Sequence, residues 1–202
     1  MTVLERVAPA PISSTTVLAG SVADYLQAVQ DQPLARVEYM EGTIFMTPAP
    51  VPRHQLVERD LFWLLDRFVR EQDLGVVLSA PLDVALEPES NIVQPDLIFI
   101  ARARIIDLVG ERRIEGAPDF IAEILSPSTS RIDRQIKLPL YARMGVAEYW
   151  IVDADERTLE VYLLDGESYR VAGVYLDEEI VDIGRFAEAA IAVDQIFDSS
   201  TL

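Results

Sequence analysis

The chain has 202 residues, half of them hydrophobic, and a formal net charge of −17. That length suits one domain with a substantial core, and the composition argues against disorder of the whole chain. It contains no cysteine, which excludes disulfides and thiolate metal sites and fits a cytoplasmic protein. No apolar run is long enough for a membrane span, and Glu5 and Pro9 interrupt the place where a signal peptide would need continuous apolar residues.

In chain order, residues 1–20 read as an N-terminal arm with little core, and 21–202 as a single domain. Ser21 to Gln30 predicts a short helix capped by Ser21 with Asp24 at the third position. Arg36 to Met46 predicts two strands turning at Glu41-Gly42, and the prolines at 48, 50 and 52 end that hairpin. His54 to Arg70 is the clearest helix: Val57, Leu61, Leu64, Leu65 and Phe68 recur at spacings of three and four. His54 extends that stripe by one turn.

Gly75–Ser79 and Leu82–Leu86 read as strands around Pro81. Val93–Ile100 and Phe120–Leu125 are apolar runs of strand length without alternation, as expected of strands covered on both faces. Ser130-Arg131-Ile132-Asp133 opens a helix that should run to Met144 and stop at Gly145, with Pro139 kinking it just past Lys137. Tyr149–Val152 reads as a buried strand. Thr158–Leu164 and Ser168–Tyr175 read as a hairpin around Asp165-Gly166. The order predicts an α/β fold around a mixed sheet.

Charge is unevenly spread. Eight of the seventeen basic residues lie between Arg102 and Arg143, and the last third is acidic. Sixteen of the seventeen are arginine, and Lys137 is the only lysine. An ammonium approaches a water or a phosphate as a compact point charge, which a planar guanidinium does less well.

Asp96 and Glu123 each interrupt an apolar strand, and a buried carboxylate is costly without a partner. Ile121, Glu123 and Leu125 share a strand face, so Glu123 points where apolar residues point. Asp119 repeats the Pro-Asp pair of Asp96, but four strand residues put it roughly 13 Å from Glu123, too far for one metal. Asp133, Lys137 and Tyr141 share a helix face, from which Lys137 can lean over Glu123. Two acids and a lysine suit Mg²⁺ (or Mn²⁺) holding a water against a phosphodiester, with Asp96 and Glu123 as metal ligands and Lys137 as the third catalytic residue. The competing reading is a buried ion pair of Lys137 with either acid. As a site residue, Lys137 is expected to be dispensable for folding.

Secondary candidates have equally ordinary readings. His54 is a phosphate contact or base, or a core histidine. Glu38 is a further acid, or half of a hairpin salt bridge. Ser126 orients Glu123, or caps the turn before Pro127. Arg102, Arg104, Arg112 and Arg113 track a DNA backbone, or form a solvated loop.

With these stretches in view, the sequence resembles the Uma2 family of endonucleases within the PD-(D/E)XK nuclease superfamily. The matching pieces are Glu38 to Gly42, Pro52-Arg53-His54-Gln55, Val93 to Asp96, Ala117 to Ser128, Asp133, Lys137, Tyr141, and Gly145 to Asp153. The resemblance implies a restriction endonuclease-like core, with a mixed central β-sheet flanked by helices and extra N-terminal and C-terminal hairpins. It also implies Mg²⁺-dependent DNA cleavage. One departure stands out: the superfamily lysine belongs two residues after Glu123, where this chain has Leu125, so the resemblance implies that Lys137 has taken its place. Two other functions remain open: a non-catalytic nuclease-fold protein that binds nucleic acid or a protein, and a hydrolase or transferase of small phosphorylated substrates. A homodimer would let two sites address two strands.

Overall fold

The computed structural model describes residues 12–198. It holds two six-stranded mixed sheets. The first contains β1 (Thr16–Ala19), β2 (Arg36–Met40), β3 (Thr43–Thr47), β5 (Val84–Glu87), β6 (Asn91–Val93) and β8 (Ile114–Glu115), in the order β1-β3-β2-β6-β5-β8. The second contains β4 (Gly75–Ser79), β7 (Leu97–Ala101), β9 (Phe120–Ile124), β10 (Glu148–Asp153), β11 (Thr158–Asp165) and β12 (Ser168–Leu176), in the order β12-β11-β10-β9-β7-β4. The mixed α/β architecture expected from the sequence is therefore present, with its β-structure divided between two sheets.

Local signals account for most boundaries. Helix α1 (Val22–Asp31) starts with the expected capping box of Ser21 and Asp24. Helix α2 (Pro52–Glu71) starts on Pro52, whose missing N–H costs nothing in a first turn. It buries His54, Val57, Leu61, Leu64 and Leu65 of the stripe read from the sequence, and Val69 in place of Phe68, which is only partly buried. The β2–β3 turn carries positive φ at both Glu41 and Gly42, the conformation that a tight hairpin requires. Within the stretch read as an arm, Thr16–Ala19 pairs with β3 as an exposed edge strand; residues 1–11 of that arm lie outside the described residues.

One expected strand is two. The run 93–100 breaks at Gln94-Pro95-Asp96, with β6 in the first sheet and β7 in the second. Proline has no N–H for a ladder, so the pairing ends there and the chain changes sheets. Asp96 consequently stands at the junction of the sheets.

Strands β9 and β10 are parallel, and a parallel pair needs a crossover. The segment after β9 provides it: helical from Ser130–Ile132, wider through a π-helical turn at Asp133–Lys137, and α-helical again over Leu138–Arg143. In the widened turn, Leu138 N–H bonds to Asp133 O. This accommodates Pro139, which has no N–H and would crowd a regular turn. The predicted kink thus takes the form of a bulge that contains Lys137.

The two faces of the second sheet carry separate cores. One gathers Leu61, Leu65, Phe99, Phe120, Trp150 and Phe186, with edge-to-face rings. The other gathers Ile98, Ile121, Tyr141, Tyr149 and Ile151 with residues from the first sheet. Burying each such side chain contributes about 1.5–3 kcal/mol. The segment after the β11–β12 hairpin, unassigned from sequence, adds Val181, Phe186, Ile191, Val193, Ile196 and Phe197 to the first core.

Candidate active site

Three predicted residues converge where the sheets meet. Leu97 pairs with Ala122 in the antiparallel β7–β9 ladder, so Asp96 stands beside the Glu123 end of β9. Asp96 Oδ2 accepts the Ile124 N–H at 2.7 Å. From the crossover helix, Lys137 Nζ donates to Glu123 Oε1 at 2.9 Å, and Tyr141 donates its hydroxyl to the same oxygen at 2.8 Å. Lys137 Nζ also lies 2.9 Å from Glu38 Oε1 and 3.4 Å from Asp133 Oδ1. Asp96, Glu123 and Lys137 are each 1% exposed, so water cannot screen these charges as it does on a surface.

Glu38 comes from β2 and also accepts the Gln94 N–H at 2.8 Å. This puts it inside the cluster rather than in a hairpin salt bridge. Two residues earlier on the same strand face is Arg36, which reaches Asp96 Oδ1 at 2.5 Å and Glu123 Oε2 at 3.9 Å. From the start of α2, His54 Nε2 lies 3.3 Å from Asp96 Oδ1 and 4.0 Å from Glu58 Oε2. That nitrogen is buried and makes no hydrogen bond.

Electrostatics divide the cluster. Burial pushes Asp96 up, but Arg36, His54 and the Ile124 N–H outweigh it and hold the carboxyl well below the usual range. Burial pushes Glu123 up to about 8, reinforced by Asp133, Asp96 and Glu38 against the pull of Lys137. Burial raises Asp133 to about 6 and Glu58 to about 7. Burial opposes the charge on Lys137, but Glu123, Glu38 and Asp133 prevail and raise its pKa, so the ammonium persists. Arg36 follows the same pattern: burial opposes its charge, and Asp96, Glu123 and Glu38 overcome that. The carboxyl groups of Glu38, Glu58, Asp96, Glu123 and Asp133 thus outnumber the basic side chains Arg36 and Lys137, and the raised values of Glu123, Glu58 and Asp133 express that surplus of acids in a buried space.

A divalent cation fits this surplus. His54, Glu58 and Asp96 offer ligand atoms that all lie within 4.8 Å of one another. An imidazole nitrogen with carboxylate oxygens is a donor set for first-row divalent metals, and His54 Nε2 lies 3.3 Å from Asp96 Oδ1 without hydrogen-bond geometry to it. Glu123 Oε2 lies on the Arg36 side of Asp96.

Other candidates lie elsewhere or act locally. Ser126 Oγ contacts Ser128 Oγ at 2.9 Å and Thr129 Oγ1 at 3.1 Å, so it ties its own turn and does not hydrogen-bond Glu123. Arg102 and Arg104 follow β7 at the end opposite Asp96, roughly 20 Å along the strand. Arg102 pairs with Asp73, Arg104 with Asp119 and Arg113 with Glu115, while Arg112 is exposed. Asp119 accepts the Ala101 N–H at that same far end.

Sequence reasoning missed Arg36 and Glu58. A signal existed for each: Arg36 shares strand parity with Glu38, and Glu58 lies one helical turn after His54.

Two mixed sheets joined at a buried acid–lysine cluster, with the lysine on a crossover helix, define a nuclease-like α/β fold. The chain belongs to the Uma2 family, described as "Putative restriction endonuclease", whose sequence profile matches residues 22–194. A solved structure from Anabaena variabilis ATCC 29413, described as "a putative nuclease belonging to DUF820", is similar in fold: TM-score 0.67, 23% identity, covering 82% of this chain and 91% of that one. No curated protein matches the sequence. Among the described residues, no helix is long and apolar enough to cross a membrane.

Proposed function

We propose that this protein is a divalent-metal-dependent DNA endonuclease that hydrolyses phosphodiester bonds with Mg²⁺ or Mn²⁺. The observation that supports it is the meeting of two buried acids, Asp96 and Glu123, with His54 Nε2 3.3 Å from Asp96 and Lys137 Nζ 2.9 Å from Glu123. Asp96 and Glu123 would hold the cation, with His54 and Glu58 adjoining Asp96. A bound cation would polarise the phosphate and lower the pKa of a water. Lys137 stays protonated, so it serves as a donor and a positive charge, either positioning the attacking water or neutralising charge that develops on the phosphate. It cannot be the general base, which leaves proton acceptance to a carboxylate. Glu38, Asp133 and Tyr141 position Lys137 and Glu123. A net charge of −17 repels DNA, so affinity depends on the cation bridging acid and phosphate. A two-fold pair of chains would present two such sites to two strands.

A second reading, a nuclease-fold protein that binds without cutting, draws on Arg36, which already neutralises part of the cluster. Plasmid and oligonucleotide cleavage titrated with Mg²⁺ and Mn²⁺, with Asp96→Asn and Glu123→Gln alongside, separates the two. Metal-dependent cleavage lost in both variants supports the endonuclease. DNA binding without cleavage at any metal concentration supports the second reading.

A further inference from the structure

We propose that Arg36 is a resident counter-cation, whose guanidinium competes with the divalent metal for Asp96 and Glu123 and must withdraw for the metal to bind both. This rests on the metal-dependent reading above. Geometry carries it. Arg36 presents one nitrogen to each acid, 2.5 Å from Asp96 Oδ1 and 3.9 Å from Glu123 Oε2, and so lies between the carboxylates a shared ion would bridge. Its side chain is 13% exposed, with an open side through which it can leave. That side is a wall common to two cavities, of about 600 and 240 Å³. Arg36, Ala49 and Pro50 line both. A withdrawn Arg36 enters one of these cavities beside the site, where a guanidinium can meet a phosphate bidentately.

A site that tolerates its own cation in place of the metal stays partly neutralised when metal is absent. Without Arg36, Glu123 would keep Lys137 while Asp96 would keep only His54 and the Ile124 N–H, and like charges in a buried site repel strongly. Two cations that exclude each other are negatively coupled, and coupling between ligands typically amounts to about 5- to 150-fold in affinity.

The test is Mn²⁺ affinity, read from the free-Mn²⁺ electron paramagnetic resonance signal without DNA. Wild type, Arg36→Met and Arg36→Lys are compared, with Glu123→Gln as the control for metal binding itself. Arg36→Met is expected to bind Mn²⁺ on the order of tenfold more tightly than wild type, and to gain more in Tm from saturating Mn²⁺ because the metal replaces the lost cation. Should Arg36→Met not fold without metal, Arg36→Lys carries the test. Its shorter reach spans one acid only, so its affinity should fall between the other two. Affinity equal to or weaker than wild type in the folded variant overturns the competition. Absence of Mn²⁺ binding in every protein overturns the inference together with the metal-dependent reading. Tighter binding in Arg36→Met without any DNA cleavage sustains the inference and removes the endonuclease alone.

Discussion

The two faces of the β9–β10 pair each bury a glutamate, and the two are handled differently. Glu148 shares its face with Trp150, above the aromatic core of Phe120 and Phe186. It accepts the Trp150 indole N–H at 2.7 Å and the Arg185 backbone N–H at 2.6 Å. Gly184 has φ of +87°, and a Cβ there would overlap the carboxylate, so a glycine makes room for it. Glu123 lies on the opposite face, held by an ammonium and a phenol and crowded by other acids. One carboxylate is satisfied by neutral donors a few residues away or on a neighbouring loop. The other sits among charges contributed by β2, α2 and the crossover helix. Burial alone therefore does not mark a site; excess charge brought together from distant segments does.

The sharpest way to break this comparison is to neutralise both glutamates in turn. Glu123→Gln should lower metal-dependent cleavage by at least about 100-fold, whereas Glu148→Gln should leave the rate near wild type. Equal losses in a plasmid-nicking assay would erase the distinction. Lys137 gives the next largest effect, and here the structure revises the expectation that folding does not need it. With Glu38, Glu123 and Asp133 around its Nζ, Lys137→Ala leaves buried acids without their cation. We expect loss of cleavage together with about 3–5 kcal/mol of destabilisation, measured by denaturant unfolding. Lys137→Arg should recover part of the stability but not the rate, because a planar fork does not fit a space shaped for an ammonium. Recovery of both would show that charge alone suffices.

Legibility from sequence followed the same division. Asp96, Glu123 and Lys137 stood out because each breaks a local pattern: an acid in an apolar strand, or the one lysine among arginines. Asp133 and Tyr141 were visible through helical spacing. Arg36 and Glu58 were not singled out, because a single arginine before a strand glutamate and an acid on the polar side of a helix look like ordinary surface. Only the meeting of β2 and α2 over Asp96 gives them a role, and that is long-range information. The break at Pro95 was readable from its missing N–H. It was obscured by the apolar residues on both sides, which belong to two different sheets. The core contribution of residues 181–197 had no such marker, since the acids around it resemble a solvated tail.

A smaller effect concerns DNA affinity. Each phosphate contact contributes a slope of about −0.9 in log K against log salt. Among the described residues, Arg36, Arg53 and Lys137 are ion-paired, so binding should weaken with salt only with the slope of a few contacts, and should require Mg²⁺ or Mn²⁺. Glu123→Gln should weaken it and Glu148→Gln should not. Tight binding insensitive to both salt and metal would show that the acid cluster is not where DNA docks.

The smallest effect isolates Glu148 itself. Burial pushes its carboxyl above the ordinary range, against the Arg185 N–H, the Trp150 indole and the Arg185 charge, which pull it down. Unfolded, the group titrates at about 4.3. Between that value and its raised folded value, the native state holds more protons than the unfolded state. Stability from Glu148 is thus fully present below about pH 4.3 and is lost as pH rises through the folded value. A glutamine cannot titrate, so Glu148→Gln should gain on wild type in Tm as pH rises through that window, from near parity at acid pH. The Tm difference between the two proteins, measured across the window, removes contributions common to both. If Glu148→Gln instead loses ground as pH rises, the charged carboxylate is stabilised by its two N–H donors more than burial costs it, and the apolar face would hold an anion as readily as the acidic one does.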